Sequence, residues 1–163
     1  MSRLSRRSLL GFGALAGVGT VVGGAPAVAQ ASTASARTFV LHGRAMRRLT
    51  GSGAAAVGSA HSVRGDLADT AAGASRGEVF HSGHVVSKAG HDGVATVETH
   101  LFVLPEGTLA GSGTVTHAGH GTFVVTGGTG RYAGARGSYS TDQTADAVGG
   151  GAAHYRFDLT TES

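Results

Sequence analysis

The fold of this chain is decided by residues 127–137, GGTGRYAGARG, and by the apolar run TFVVT at residues 122–126 that precedes them. A strand that leads into Gly128-x-Gly130-x-x-Ala133 is the pattern in which dinucleotide-binding folds hold a pyrophosphate at a helix N-terminus. Only 26 residues follow Gly137, however, and the segment GSYSTDQT at 137–144 lacks the apolar period of a crossover helix. A nucleotide site is therefore rejected in favour of two strands joined by a glycine-rich bend.

Four residues of this bend are assigned structural roles. Gly127, Gly128 and Gly130 are expected to allow a tight turn with positive φ, which side chains disfavour. Arg136 is expected to lock the bend by reaching a buried carboxylate or the turn carbonyls, with contact to a ligand as the alternative.

Alternating or β-rich stretches recur along the rest of the chain, separated by turn sequences such as GHDG at 90–93 and PEG at 105–107. Spacing this short indicates antiparallel hairpins, because parallel strands need long crossovers. Residues 32–163 are therefore predicted to form one all-β domain, an eight-stranded antiparallel up-and-down barrel wide enough for one small ligand. The segments at 51–59 and 149–153 are expected to be mobile loops at its rim. The predicted strands are 38–47, 61–67, 78–88, 94–104, 108–117, 121–126, 135–141 and 154–160.

Residues 1–31 are predicted to be a cleavable signal peptide for twin-arginine export. The segment SRRSLL at 5–10 is followed by a glycine-diluted apolar run and by the small-residue site AVA at 27–29. The run is shorter than the roughly 18–20 residues that a bilayer requires, which favours cleavage after Ala29 or Ala31 over an uncleaved anchor. We therefore expect a secreted or cell-surface protein with no stable membrane anchor. The chain has no cysteine, so no disulfide has to form outside the cell.

The net charge of +3 comes entirely from Arg3, Arg6 and Arg7 in this signal. From Ala31 onward ten Lys and Arg residues balance ten acids. A nucleic-acid partner is therefore not expected.

The segment FVVTGGTGRYAGARG at 123–137 resembles the signature of the allene oxide cyclase and dirigent barrel superfamily. FVLPEGTL at 102–109 and GDL at 65–67 are similar to further motifs of that family, and the likeness covers about residues 38–160. The resemblance implies a bacterial cyclase or isomerase that encloses a reactive apolar intermediate in its barrel. A non-catalytic binder of a small apolar molecule and a structural, oligomer-forming surface protein are the alternatives. Assembly into a homo-oligomer is left open.

Two features depart from the pattern of these relatives. Some plant dirigents carry an acid directly after GGTG, where this chain has Arg131, so dirigent-type phenol coupling is not implied. His84 and His100 stand where bacterial relatives often carry cysteines.

Histidine is frequent, with nine residues. The pair His81 and His84 has i,i+3 spacing, which puts the two rings on opposite faces of a strand. His117 and His120 would face each other across a two-residue turn, but they lack a carboxylate or a third ligand. We therefore expect no metal site and no cofactor.

The stronger candidate for chemistry is the strand at 94–104. Glu98, His100 and Phe102 share one of its faces, and His84 on the preceding strand is expected roughly opposite His100. If this face points into the lumen, Glu98 and His100, with His84 as neighbour, can orient a hydroxyl or an enol and move a proton. Phe102 and Tyr139 would then contact the ligand. If the face points outward, these side chains are only solvated.

Overall fold

The computed structural model describes residues 34–51, 56–87, 94–145 and 150–162. In these residues eight strands form a closed barrel, in which each strand pairs antiparallel with the next and β8 pairs with β1. The predicted up-and-down barrel is confirmed. The strands are β1 (Ala34–Thr50), β2 (Ala60–Ala68), β3 (Gly77–Val85), β4 (Val94–Leu104), β5 (Gly107–Thr116), β6 (His120–Gly128), β7 (Arg136–Ala145) and β8 (Gly150–Glu162).

Alternation of side chains along each strand separates the lumen from the outer surface. In β6, Phe123 and Val125 are buried, whereas Thr122, Val124 and Thr126 between and beside them are exposed. Successive residues of a strand point to opposite faces, so one half of each strand's side chains fills the barrel. A short 3-10 turn at Gly130–Tyr132 is the only helical element of the described residues.

The expectation of a loop at residues 149–153 is wrong for the part that the structure describes, because β8 begins at Gly150. Ala153 pairs with Gln143 of β7 on one side and with Gly43 of β1 on the other. Glycine and alanine favour strands weakly, but a closed barrel pairs this segment on both edges, and that pairing outweighs the local preference.

The glycine-rich bend follows β6. Gly130 has φ 59°, and a Cβ there would lie 2.3 Å from the carbonyl oxygen of Glu106, so its predicted role is confirmed. Gly128 does not have positive φ; it is required because a Cβ would lie 2.5 Å from the Tyr132 carbonyl oxygen. Gly127 has neither constraint, since a Cβ there would meet nothing within 4 Å. The positive φ predicted for Gly127 and Gly128 is therefore wrong, although Gly128 is still required for steric reasons.

Arg136 donates to the carbonyl oxygen of its own neighbour Ala135, at 2.9 Å, which agrees with a contact to the turn carbonyls. The carboxylate at this end of the barrel is held by a different arginine. Arg76, between β2 and β3, donates to Glu106 at 2.7 Å and to Asp69 at 2.5 Å. The side chains of Arg76 and Glu106 thus join the β2–β3 and β4–β5 connections.

The segment expected to be a signal peptide and the GHDG turn at 90–93 lie outside the described residues. Within the described ranges, no helix has the length and apolar character needed to cross a membrane.

Candidate functional site in the barrel lumen

One end of the lumen is hollow. A cavity of about 590 Å³ lies where β3 and β5 end and β8 begins, and it reaches the surface beside the exposed turn at residues 117–119. Its wall is partly apolar, and four different strands contribute the polar side chains of His61, His81, Glu98 and Gln143. Arg48 and His117 also line it. The lining side chains used below are Met46, His61, Val63, His81, Val85, Glu98, Val115, Gln143 and Ala153.

Glu98 is the centre of the polar cluster and is only 5% exposed. Its Oε1 accepts hydrogen bonds from Thr96 Oγ1 at 2.7 Å and from His61 Nε2 at 3.3 Å. Its Oε2 accepts from His100 Nε2 at 2.9 Å and from Gln143 Nε2 at 3.4 Å. Both carboxylate oxygens are therefore fixed by donors, as a buried charge requires.

His61 and Glu98 lie on β2 and β4, which are separated by β3. The β3 residue between them in register is Gly83, which pairs with His61 on one side and with Glu98 on the other. A Cβ on Gly83 would lie 2.8 Å from Glu98 Cγ and 3.1 Å from His61 Cε1. The missing side chain is what lets imidazole and carboxylate meet across an intervening strand.

The charge states of the cluster follow from burial and hydrogen bonding. Burial alone raises the pKa of the Glu98 carboxyl, but the hydrogen bonds from His100, His61 and Thr96 outweigh it, so the pKa lies below its usual range and the group is ionised. Burial lowers the pKa of His100 more than Glu98 raises it. The contact between the two is therefore a hydrogen bond from a neutral imidazole to a carboxylate, not an ion pair.

His81 lies beside His100 in the β3–β4 register, with the rings stacked at 3.9 Å between centroids. Its Nε2 is 2.7 Å from the hydroxyl of Tyr155. Burial, and then repulsion from His100, lower the pKa of His81 to about 3, so this imidazole is also neutral near pH 7. One ligand atom from each of His81, Glu98 and His100 lies within 4.8 Å of the others.

Below this cluster the lumen is filled with aromatic rings. Phe102 and Tyr139 are 0% and 2% exposed, and their rings meet edge to face at 5.4 Å. Neither residue lines the cavity, so both belong to the packed floor under it, and their predicted role in contacting a ligand remains a prediction. The rings packed against them are those of Phe123, Tyr155 and Phe157.

Glu98, His100 and Phe102 all point into the lumen. This is the first of the two alternatives that the sequence left open for this face of the strand. The expected position of His84 is wrong. His84 pairs with Val97 and is exposed on the outer surface, whereas His100 pairs with His81. Because faces alternate, the residue three positions before His84 takes the lumenal place.

The pair His117 and His120 is also placed differently from the expectation. β5 ends at Thr116 and β6 begins at His120, so the turn spans residues 117–119 and His117 lies within it. Both histidines are exposed; His117 Nε2 is 2.9 Å from Ser87 Oγ, and His120 Nδ1 is 2.5 Å from Asp142 Oδ1.

The sequence interpretation overlooked His61, His81 and Gln143. A signal for the first two existed: His61 alternates with Val63 and Leu67, and His81 alternates with Val79 and Val85, as lumenal residues of a barrel strand do.

No protein-family model matches the chain, and no curated protein does. Solved structures do. The barrel is similar to a pterocarpan synthase dirigent protein (16% identity, TM-score 0.60, covering 86% of this chain and 97% of that one). It is similar to pyocyanin demethylase (18%, 0.56, 77% and 99%). It is also similar to a Diels–Alderase from Streptomyces koyangensis (16%, 0.57, 78% and 64%).

The chain shares the barrel fold of these proteins. At identities this low, the structural likeness establishes the fold alone and does not transfer an activity.

Proposed function

We propose that the chain is an exported cyclase or isomerase, which binds an apolar molecule carrying a hydroxyl, enol or carbonyl group in the barrel cavity and moves a proton on it. The observation that carries the proposal is the His61–Glu98 pair in the wall of the 590 Å³ cavity. The solved structures of similar fold include a Diels–Alderase, which supports a cyclase function for this barrel by analogy only.

The pair fixes the roles of the two groups. An ionised carboxylate only accepts hydrogen bonds, so the His61 nitrogen that faces Glu98, Nε2, carries the proton. In the neutral imidazole Nδ1 is then the nitrogen able to accept a proton. Glu98 orients the ring and stabilises the imidazolium that forms, as the carboxylate of a catalytic triad does. An isomerisation removes a proton from one atom of the ligand and returns it to another, so no oxidant or reductant is needed.

The cavity wall supports an apolar ligand body. Val63, Val85 and Val115 provide branched aliphatic surface, and Met46 provides an adaptable thioether. A structural protein would gain stability by filling this space, since protein interiors are normally packed to crystal density. The hollow end therefore favours ligand binding over a purely structural role.

Binding is tested with N-phenyl-1-naphthylamine, an apolar fluorescent probe. We expect saturable binding of one probe per chain, and at least a tenfold weaker affinity in Ala153→Phe, which puts a ring into the cavity. If Ala153→Phe binds the probe as tightly as the wild type, the cavity is not the binding site.

Proton transfer is tested with 2-tetralone, an apolar ketone with acidic α C–H groups, by following deuterium exchange in D₂O by NMR. The wild type should accelerate exchange, and His61→Gln should lose about 10²–10⁴-fold of that acceleration, which is the usual contribution of a general base. His84→Gln makes the same substitution on the outer face. It is the matched control and should behave as the wild type. Probe binding without any exchange would leave the non-catalytic binder as the function.

Export rests on the Arg6–Arg7 pair of the sequence alone. Replacing both arginines with lysine should retain a full-length precursor inside the cell, because the twin-arginine receptor recognises the pair. Unchanged secretion of this double variant, followed by immunoblotting of cells and medium, would contradict the proposal.

A further inference from the structure

We propose that His81, Glu98 and His100 form a binding site for one divalent transition-metal ion at the floor of the cavity. Their ligand atoms lie within 4.8 Å of one another, and all three residues are buried. The proposal does not depend on the identity of an organic ligand.

One distance within the cluster, that between His100 and Glu98, suits a metal ion. Nitrogen and oxygen ligands lie about 2.0–2.2 Å from zinc, which places two ligands of one ion roughly 3 Å apart or slightly more. His100 Nε2 and Glu98 Oε2 are separated by 2.9 Å. An ion between them would replace that hydrogen bond, and both residues lie on β4.

The composition of the cluster also suits a metal ion. Transition-metal ions in proteins are bound by imidazole nitrogens and carboxylate oxygens, and the cluster brings two of the first and one of the second together. Among the described residues, the side chains that donate to Glu98 are Thr96, Gln143 and two histidines, and none is Lys or Arg. A bound cation would compensate the buried negative charge directly.

Two nitrogens and one oxygen select the class of ion. Imidazole ligands suit zinc, iron, copper and nickel, whereas magnesium and calcium prefer oxygen ligands alone. Three protein ligands leave coordination positions free, and His81 and Glu98 line the cavity from which a ligand oxygen could occupy one of them. Glu98 Oε1 would keep its hydrogen bond from His61.

The outer surface holds the competing site. His42, His154, Asp142 and His120 pair across four neighbouring strands and form a row on the exposed face. The rings of His42 and His154 are 4.8 Å apart, which is close enough for weak chelation of an ion. Any test must therefore separate the lumen from this row.

The test is a titration with Co²⁺ of the full chain, purified without a histidine tag and stripped with EDTA. We expect one Co²⁺ per chain with visible absorption bands, and at least about tenfold weaker binding in Glu98→Gln and His81→Asn. His84→Asn and His154→Asn, on the outer face, should bind like the wild type. Circular dichroism of each variant verifies that it is folded.

Absence of stoichiometric Co²⁺ binding by the wild type would overturn the proposal. So would a loss of affinity in His154→Asn that equals the loss in Glu98→Gln, because the ion would then lie on the outer row. If the lumenal variants do not fold, imidazole NMR of the wild type decides: Co²⁺ must broaden the signals of His81 and His100 and spare that of His84. Exchange of 2-tetralone is measured on the EDTA-stripped chain, so failure of the metal proposal and failure of proton transfer by His61 are distinguishable.

Discussion

The two ends of the barrel interior are built by the same eight strands but are filled differently. At one end Phe102 contacts Tyr139, Tyr155 and Phe157 with ring centroids 5.0–5.4 Å apart. At the other end the strands enclose a cavity of about 590 Å³ with histidine, glutamate and glutamine in its wall. The aromatic end therefore provides the stability that lets the polar end remain hollow.

Glycines in the lumen show how the same strand geometry serves both ends. At the aromatic end Gly111 makes room for a large ring, since a Cβ there would lie 2.4 Å from Tyr139 Cε1. At the hollow end Gly83 makes room for a polar contact, that of His61 with Glu98. Omitting a side chain thus improves packing at one end and assembles a polar pair at the other.

The largest effect is expected at the aromatic end. Phe102 is fully buried among rings, so Phe102→Ala should lower the free energy of unfolding by about 3–5 kcal/mol, through lost burial and the void left behind. Urea denaturation followed by circular dichroism measures the change.

Val79 and Val85 give a matched pair for the same difference. Both lie on the lumenal face of β3, but Val79 belongs to the packed core, whereas Val85 lines the cavity. Val79→Ala should therefore be clearly more destabilising than Val85→Ala, because the side chains around Val85 already border empty space. Equal losses would mean that the hollow end is packed in solution.

A smaller effect is expected at Gly83, the β3 residue between His61 and Glu98. Gly83→Ala should cost about 1–3 kcal/mol, because its Cβ would lie 2.6 Å from the Val97 carbonyl oxygen and 2.8 Å from Glu98 Cγ. It should also reduce 2-tetralone exchange by separating His61 from Glu98. Gly127→Ala is the matched control: with nothing near its Cβ, it should be neutral or stabilise by up to about 1 kcal/mol.

The barrel itself was predictable because two local signals agree. Alternating apolar residues define each strand, and glycine-rich turns define where strands end, so all eight strands were found within a few residues of their ends. The largest differences, of four residues each, are at the start of β1, the end of β7 and the start of β8. The first residues of β8 carry little β preference and are held partly by β1, which is far away in sequence, so a local pattern does not reveal them.

The site was only partly predictable, because it depends on register. The spacing of Glu98 and His100 is local, and their shared face followed from it. The partner of His100 depends on how the β3–β4 hairpin is centred, and a different centre exchanged His81 for His84. The contact of His61 with Glu98 crosses an entire strand and exists because Gly83 lacks a side chain, which no short sequence motif encodes.

The last prediction concerns His81, which lies between the two ends, and it applies to the metal-free chain in EDTA. Burial lowers its pKa to about 3, against about 6.5 in an unfolded chain. Below pH 6.5 the unfolded state therefore binds a proton that the folded state does not, and the free energy of unfolding falls as the pH falls. The expected contribution is about 1.4 kcal/mol per pH unit.

Between pH 6.5 and 5 the effect can be isolated, because an ordinary carboxyl, with a pKa near 4.3, is still ionised there in the unfolded chain. The free energy of unfolding is measured by urea denaturation at several pH values. Its slope against pH should be smaller in His81→Asn, by about the contribution of one proton. His100, whose pKa is also lowered, should supply the acid sensitivity that remains. His84→Asn, three residues along the same strand and on its outer face, is the control for the substitution itself. An equal slope in His81→Asn and the wild type would show that the His81 imidazole is not buried in solution, and the boundary between the two ends would have to be drawn elsewhere.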